Sequence, residues 1–237
     1  MGTDIMKLAI IGAMKEEVEH LKGRLVDARV TRLLGMEFNE GHLGTMPVVV
    51  VMCGVGKVNA ALCAGMLVTR FGVTHVVNTG VAGSLDARID IGDIVVSVDA
   101  VQHDFDTRAM GYPLGTIPYM GEDGAQFFVA DEALRTAVVE AAAAVAPEVG
   151  VHEGRVASGD QFVSSSEQKD LIVREFGALC AEMEGAAIAQ ACMLAGVPFV
   201  IVRAISDKAD GSAHMDYPAF VREAAQRSAR IVERMVS

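Results

Sequence analysis

VVVVMCGVGKVNAAL, residues 48–62, opens as a strand and closes as a helix. Val48 to Met52 are apolar and mostly β-branched, which favours extended backbone. Gly54-Val55-Gly56 then turns the chain, and a helix is expected from Lys57 to Phe71. A run that is apolar on both faces suits a strand buried in a parallel or mixed sheet. The turn fits neither GxGxxG nor GxxxxGK[ST], so it reads as a strand-to-helix connection and not as a phosphate cradle.

The pattern repeats on both sides of this stretch. Leu8-Ala9-Ile10-Ile11-Gly12 is a short apolar strand, and Glu16 to Leu25 follows as a helix with Val18, Leu21 and Leu25 on one side. His75 to Asn78 reads as a strand ended by Thr79-Gly80-Val81-Ala82-Gly83, and Asp93 to Val101 as another. Asp131 caps an Ala- and Val-rich helix that must end near Pro147. Ser164-Ser165-Ser166-Glu167 carries a capping box for a helix to about Glu175. Pro198 to Ile205 is a buried strand, and Asp216-Tyr217-Pro218 opens a last amphipathic helix. There is no internal repeat, linker or break in composition. The expectation is one α/β domain over 7–237, a mixed central sheet flanked by helices, with residues 1–6 as a short tail.

Composition narrows the chemistry. The 237 residues are 51% hydrophobic, with no Trp and a net charge of −11. Mean hydropathy is +0.35. Lys and Arg form no cluster, which argues against a nucleic-acid partner or an anionic membrane surface. No apolar run approaches the ~18 residues of a membrane span. Cys53, Cys63, Cys180 and Cys192 have apolar neighbours and no CxxC spacing, as buried reduced thiols of a cytoplasmic protein do. His103-Asp104-Phe105-Asp106 lacks a second His and reads as a polar loop, not a metal centre.

Ligands of open α/β sheets bind beyond the carboxyl ends of strands. There the sequence places small residues and carboxylates: Gly12-Ala13-Met14-Lys15-Glu16-Glu17, Gly54-Val55-Gly56-Lys57, Asn78-Thr79-Gly80-Val81-Ala82-Gly83, Ser158-Gly159-Asp160-Gln161-Phe162, Glu182-Met183-Glu184 and Arg203-Ala204-Ile205-Ser206-Asp207. Glu182 and Glu184 are notable because the sequence around them is apolar, and glutamate is rarely buried without a partner.

Taken together and in order, these motifs resemble the nucleoside phosphorylase/hydrolase superfamily, most closely its 5′-methylthioadenosine/S-adenosylhomocysteine nucleosidases. The resemblance runs from about residue 7 to the C-terminus. It implies a mixed sheet closed partly into a barrel, a homodimer, no cofactor and no metal. It also implies hydrolysis of the N-glycosidic bond of a thioribose nucleoside, with release of adenine. By the same resemblance Glu17 is the base that holds and deprotonates the attacking water, and Asp207 is the acid that protonates adenine N7. Glu184 accepts from the ribose hydroxyls with Met183 against the sugar. Phe162 stacks on the purine, and the Val163 backbone reads its edge. Met14, Val55, Met110, Tyr112, Pro118 and Tyr217 line the alkylthio pocket, some of them from the partner's loop. Val81, Ser206 and Arg203 complete the substrate-binding set.

Elementary chemistry agrees with those roles. Adenine leaves poorly as an anion, so a proton donor is needed. An Asp near its usual ~3.9 would be ionised at pH 7, and desolvation after the apolar run Phe199 to Val202 would raise it. Arg203 is expected to pair with Glu184 when the site is empty, and Glu182 to be structural. Where phosphorylases of the superfamily bind phosphate with Arg and Ser, this chain has Asn78 and Val81, which favours water as the nucleophile. A phosphorylase of this fold, a hydrolase of aminodeoxyfutalosine and a non-catalytic nucleoside-binding protein remain the alternatives. The segment Gln102 to Phe128, Gly-, Pro- and Tyr-containing with little periodicity, is expected at a subunit interface.

Overall fold

The computed structural model describes residues 6–121, 123–210 and 213–236, so all of the expected tail but Met6 lies outside the described residues. Among the described residues six α-helices and ten strands follow one another. The strands that build the site are β1 (Leu8–Gly12), β4 (Met46–Met52), β5 (His75–Ser84), β6 (Ile94–Gln102), β8 (Val151–Ser158), β9 (Cys180–Glu182) and β10 (Phe199–Asp207). The helices are α1 (Lys15–Arg24), α2 (Lys57–Phe71), α3 (Glu132–Val145), α4 (Ser166–Phe176), α5 (Gly185–Ala195) and α6 (Ala213–Val236). β2 (Val26–Leu33) and β3 (Met36–Leu43) form an outer antiparallel ribbon against β4, and β7 (Phe128–Val129) pairs with β6.

One half of the sheet is open and the other is closed. β1 lies parallel between β4 and β5. β5 then pairs with β10 along one edge and with β9 through Gly83 and Ser84 at its end. β10–β6, β6–β8 and β8–β9 complete a five-strand ring that returns to β5. This is the mixed, partly barrel-like sheet that the resemblance implied, within a single α/β domain.

The alternation of β1 shows how the layers are sorted. Ala9 and Ile11 pack with the buried residues of α2 and α5, whereas Leu8 and Ile10 pack with those of α1, α3 and α6. All nine residues of β10 are buried. Each fully buried Ile or Leu here contributes roughly 1.5–3 kcal/mol, so both layers are strongly held to the sheet. Asp131 caps α3 through Leu134 N at 2.9 Å, and Ser165 caps α4 through Gln168 N at 3.3 Å.

Two expectations are corrected. β5 does not end at Asn78: it runs on through Thr79-Gly80-Val81-Ala82-Gly83 to Ser84. The glycines there serve close side-chain approach and not a turn, as described below. α6 begins at Ala213, so Pro218 falls inside the helix instead of opening it. The described residues of the segment 102–128 include a 3₁₀ turn, Arg108–Met110, and a bridge from Ile117 to Ala125. Among the described residues no helix is long and apolar enough to cross a membrane.

Candidate active site

A cavity of about 330 Å³ opens at the carboxyl ends of β1, β5, β9 and β10. Its lining is largely apolar, with Ala13, Met14, Val55, Val81, Ala82, Phe162, Met183 and Tyr217 among the wall residues. Glu17, Glu182, Glu184 and Asp207 also reach it, and all four are buried.

Glu17 sits in the first turn of α1. Its Oε2 accepts from Ala13 N at 2.6 Å and Met14 N at 2.9 Å, which satisfies donors that the start of a helix leaves open. Its Oε1 accepts from Val81 N at 3.1 Å, tying α1 to β5. Burial raises its pKa, and the Arg203 charge and the three backbone donors pull the other way. Gly80 makes room for it: a Cβ there would lie 2.6 Å from Glu17 Oε1.

Asp207 ends β10. Ala209 N donates to its Oδ1 at 2.8 Å and Ser206 Oγ to its Oδ2 at 2.9 Å. Burial raises its pKa, only partly offset by these donors. Gly83 stands to Asp207 as Gly80 stands to Glu17: a Cβ at Gly83 would lie 2.7 Å from Asp207 Oδ1. The two glycines are three residues apart on extended chain, roughly 10 Å along β5, and each clears space for one of the two carboxylates.

Glu184 immediately precedes α5. Gly56 N donates to its Oε1 at 2.8 Å. Burial, and then the like charge of Glu182, push its pKa up to about 8. Glu182 is different. It accepts from Ser158 Oγ, from Arg203 Nη2, from Glu184 N at 3.1 Å and from Gly185 N at 2.8 Å. Arg203 in turn donates to Asn78 Oδ1, and to Asn78 O at 3.1 Å. The expected Arg203–Glu184 pair is therefore replaced by Arg203–Glu182. The strand alternation that would put both glutamates on one face stops at Glu182, where β9 ends.

Of the residues expected at the site, Met14, Glu17, Val55, Val81, Phe162, Met183, Glu184, Ser206, Asp207 and Tyr217 line this one cavity. Tyr217 reaches Met14, with its hydroxyl 3.2 Å from Sδ, and meets Phe162 edge-on at 5.7 Å. Arg203 lies beneath the cavity, not in it. The Val163 side chain packs with Val101, Ile172 and Phe176. Met110, Tyr112 and Pro118 lie outside the cavity, and Met110 is exposed. Sequence reasoning assigned no part to Ser158 or the Gly56 N–H. Glycines inside an apolar strand were the available signal for Gly80 and Gly83.

Residues 7–237 match the model of the phosphorylase superfamily. The chain belongs to this superfamily. Among its members, the 5′-methylthioadenosine/S-adenosylhomocysteine nucleosidase of Staphylococcus saprophyticus is 41% identical over 97% of this chain and 98% of its own. The solved structure of the Neisseria meningitidis 5′-methylthioadenosine/S-adenosylhomocysteine nucleosidase, in complex with methylthio-immucillin-A, superposes with a TM-score of 0.93 at 36% identity. It covers 98% of this chain and 99% of that one. Helicobacter pylori futalosine hydrolase superposes with a TM-score of 0.91 at 38% identity, covering 99% of each chain. A superfamily member thus carries four buried carboxylates around one apolar cavity, two of them faced by glycines of the same strand.

Proposed function

We propose that this chain hydrolyses the N-glycosidic bond of 5′-methylthioadenosine and S-adenosylhomocysteine, releasing adenine and the thioribose. The carrying observation is the pair Glu17 and Asp207: both are buried, both have raised pKa values, and both border one cavity across β5. Ionised Glu17 takes a proton from water as the water oxygen bonds to C1′. The C1′–N9 bond breaks, and protonated Asp207 gives its proton to N7 so that adenine leaves neutral. A base made stronger by burial, and an acid that burial makes hold its proton to higher pH than a free Asp, suit these two tasks. The ionised carboxylates also stabilise positive charge developing on the sugar.

Glu184 has capacity beyond its Gly56 donor, which the ribose hydroxyls fill. Phe162 offers a face to the purine, and Val163 follows it in the same loop. Met14, Val55 and Tyr217 give the 5′ sulfur apolar and polarisable contacts. The chain works as a cytoplasmic homodimer in which the partner's Gln102–Phe128 segment brings Met110, Tyr112 and Pro118 to the cavity rim. In support, Met110, Tyr119 and Val129 are exposed apolar residues in or beside that segment, and its own copies of the three lie off its own cavity. A monomer with full activity at micromolar concentration would remove this part of the reading.

The test is product analysis by mass spectrometry on methylthioadenosine with and without phosphate. Adenine and free thioribose in both samples are expected, whereas a sugar 1-phosphate would make the chain a phosphorylase. The likeness to futalosine hydrolase supports a second reading, in which aminodeoxyfutalosine is the better substrate. A higher kcat/KM for that nucleoside than for methylthioadenosine would establish it.

A further inference from the structure

The N-terminus of α2 does more than start a helix. Its first free N–H groups are claimed by carboxylates from two distant segments. Gly56 N donates to Glu184 Oε1 at 2.8 Å, and Lys57 N donates to Asp160 Oδ1 at 2.8 Å. Glu184 is the carboxylate assigned above to the ribose. Asp160 stands two residues before Phe162, assigned to the purine. The two parts of a nucleoside are thus met by two loops, each fastened to adjacent N–H groups of one helix.

The Asp160 fastening is closed on itself. Asp160 N donates to Asp104 Oδ2 at 2.9 Å, and Lys57 Nζ donates to Asp104 Oδ1 at 2.6 Å. Lys57, Asp160 and Asp104 therefore form a ring of three contacts, each residue touching the other two. Lys57 Nζ also donates to Gln102 Oε1 at 3.0 Å. Burial works against the Asp104 charge, but Lys57 and the Asp160 N–H outweigh it and hold its carboxyl below the usual range. The approach is tight: a Cβ on Gly56, whose φ is +100°, would lie 3.1 Å from Asp160 Oδ1. A Cβ on Gly159 would strike His103 Nε2 at 2.4 Å and Asp104 Cγ at 3.0 Å. Only glycine fits on either side of the Asp160 contact.

We infer that Asp160, held by Lys57 and Asp104, is a positioning residue that sets the purine-stacking loop separately from the ribose carboxylate. This rests on the nucleosidase reading. Asp160 does not line the cavity, so it acts through Phe162 and not on the substrate. Its removal should loosen the purine half of the site and leave the sugar half in place.

Calorimetric binding of adenine and steady-state kinetics on methylthioadenosine, on wild type, D160A and D160N, test this. Loss of one capping bond is the perturbation, so adenine binding by D160A should weaken by about five- to tenfold. KM should rise by a similar factor with kcat nearly unchanged, and inhibition by the sugar product should not move. Asn keeps an oxygen that can accept from Lys57 N, so D160N should recover most of the adenine affinity. Unchanged adenine affinity in a folded D160A overturns the inference, and so does equal weakening of adenine and sugar product. Should D160A fail to fold, D160N with affinity far below wild type also overturns it. Failure of the nucleosidase reading looks different: wild type itself would then neither cleave methylthioadenosine nor bind adenine.

Discussion

Glu182 and Glu184 are two residues apart and equally buried, at 7% exposure each, yet they live in opposite chemical worlds. Glu182 reaches the cavity but belongs to a polar cluster that is closed on itself: Ser158, Arg203 and the N–H groups of Glu184 and Gly185 use up its capacity, and Asn78 holds Arg203 from the other side. Glu184 belongs to the cavity wall, where Gly56 N is its bond within the protein and its pKa is pushed up to about 8. Burying a carboxylate is tolerable when it is paired and hydrogen-bonded, and costly otherwise. The closed cluster meets that condition in the folded protein. The wall meets it only when donors arrive from outside, which is the physical mark of a site built for a ligand rich in hydroxyls.

The largest effect on stability is expected at Glu182. Glu182→Ala leaves the Arg203 guanidinium buried without its counter-charge, and breaking such a pair costs about 3–5 kcal/mol. Chemical denaturation should show the loss as a lower midpoint at unchanged slope. If Glu182→Ala were as stable as wild type, the two glutamates would not differ in the way described.

Glu184→Gln should behave in the opposite sense, and by less. With its folded-state pKa raised from 4.5 to about 8, Glu184 favours the folded state most when protonated. Its contribution is complete below about pH 4.5, declines as pH rises, and is lost once pH passes about 8. A glutamine cannot ionise, so at pH 9 the variant should be more stable than wild type by about 1–3 kcal/mol, and at pH 5 it should not. The same substitution should raise KM. Thermal melts at the two pH values check this, and a variant less stable than wild type at pH 9 would remove the contrast with Glu182.

The sequence revealed the inner strands better than the outer ones. β1, β4 and β10 are buried along most of their length and read as unbroken apolar runs. β2 alternates Val26, Ala28 and Val30 with Asp27, Arg29 and Thr31 but is exposed for most of its length, and β3 mixes Glu, Asn and His with apolar residues, so neither carries an apolar run. α5, Gly185–Ala195, is apolar nearly all round and so has no stripe to betray its period. At the site, the carboxylates could be found because each lies at or just beyond the carboxyl end of a strand. Which glutamate Arg203 would choose could not, because that depends on where β9 stops and α5 begins. The glycines of β5 read as a turn in one dimension, because a glycine that clears space for a carboxylate from another element has the same signature there.

The division of labour between Glu17 and Asp207 is tested most directly by kinetics of Asp207→Asn and Glu17→Gln on two substrates. One is methylthioadenosine, and the other an analogue whose purine departs readily without a proton on N7. Both variants should lose about 10²–10⁴ in kcat on methylthioadenosine, the size typical of general acid–base catalysis. The analogue should restore much of the rate to Asp207→Asn and none to Glu17→Gln, where attack by water is still impaired. Near wild-type kcat for Asp207→Asn on methylthioadenosine, or equal rescue of both variants, would contradict the assignment of the acid at the end of β10 and the base at the start of α1.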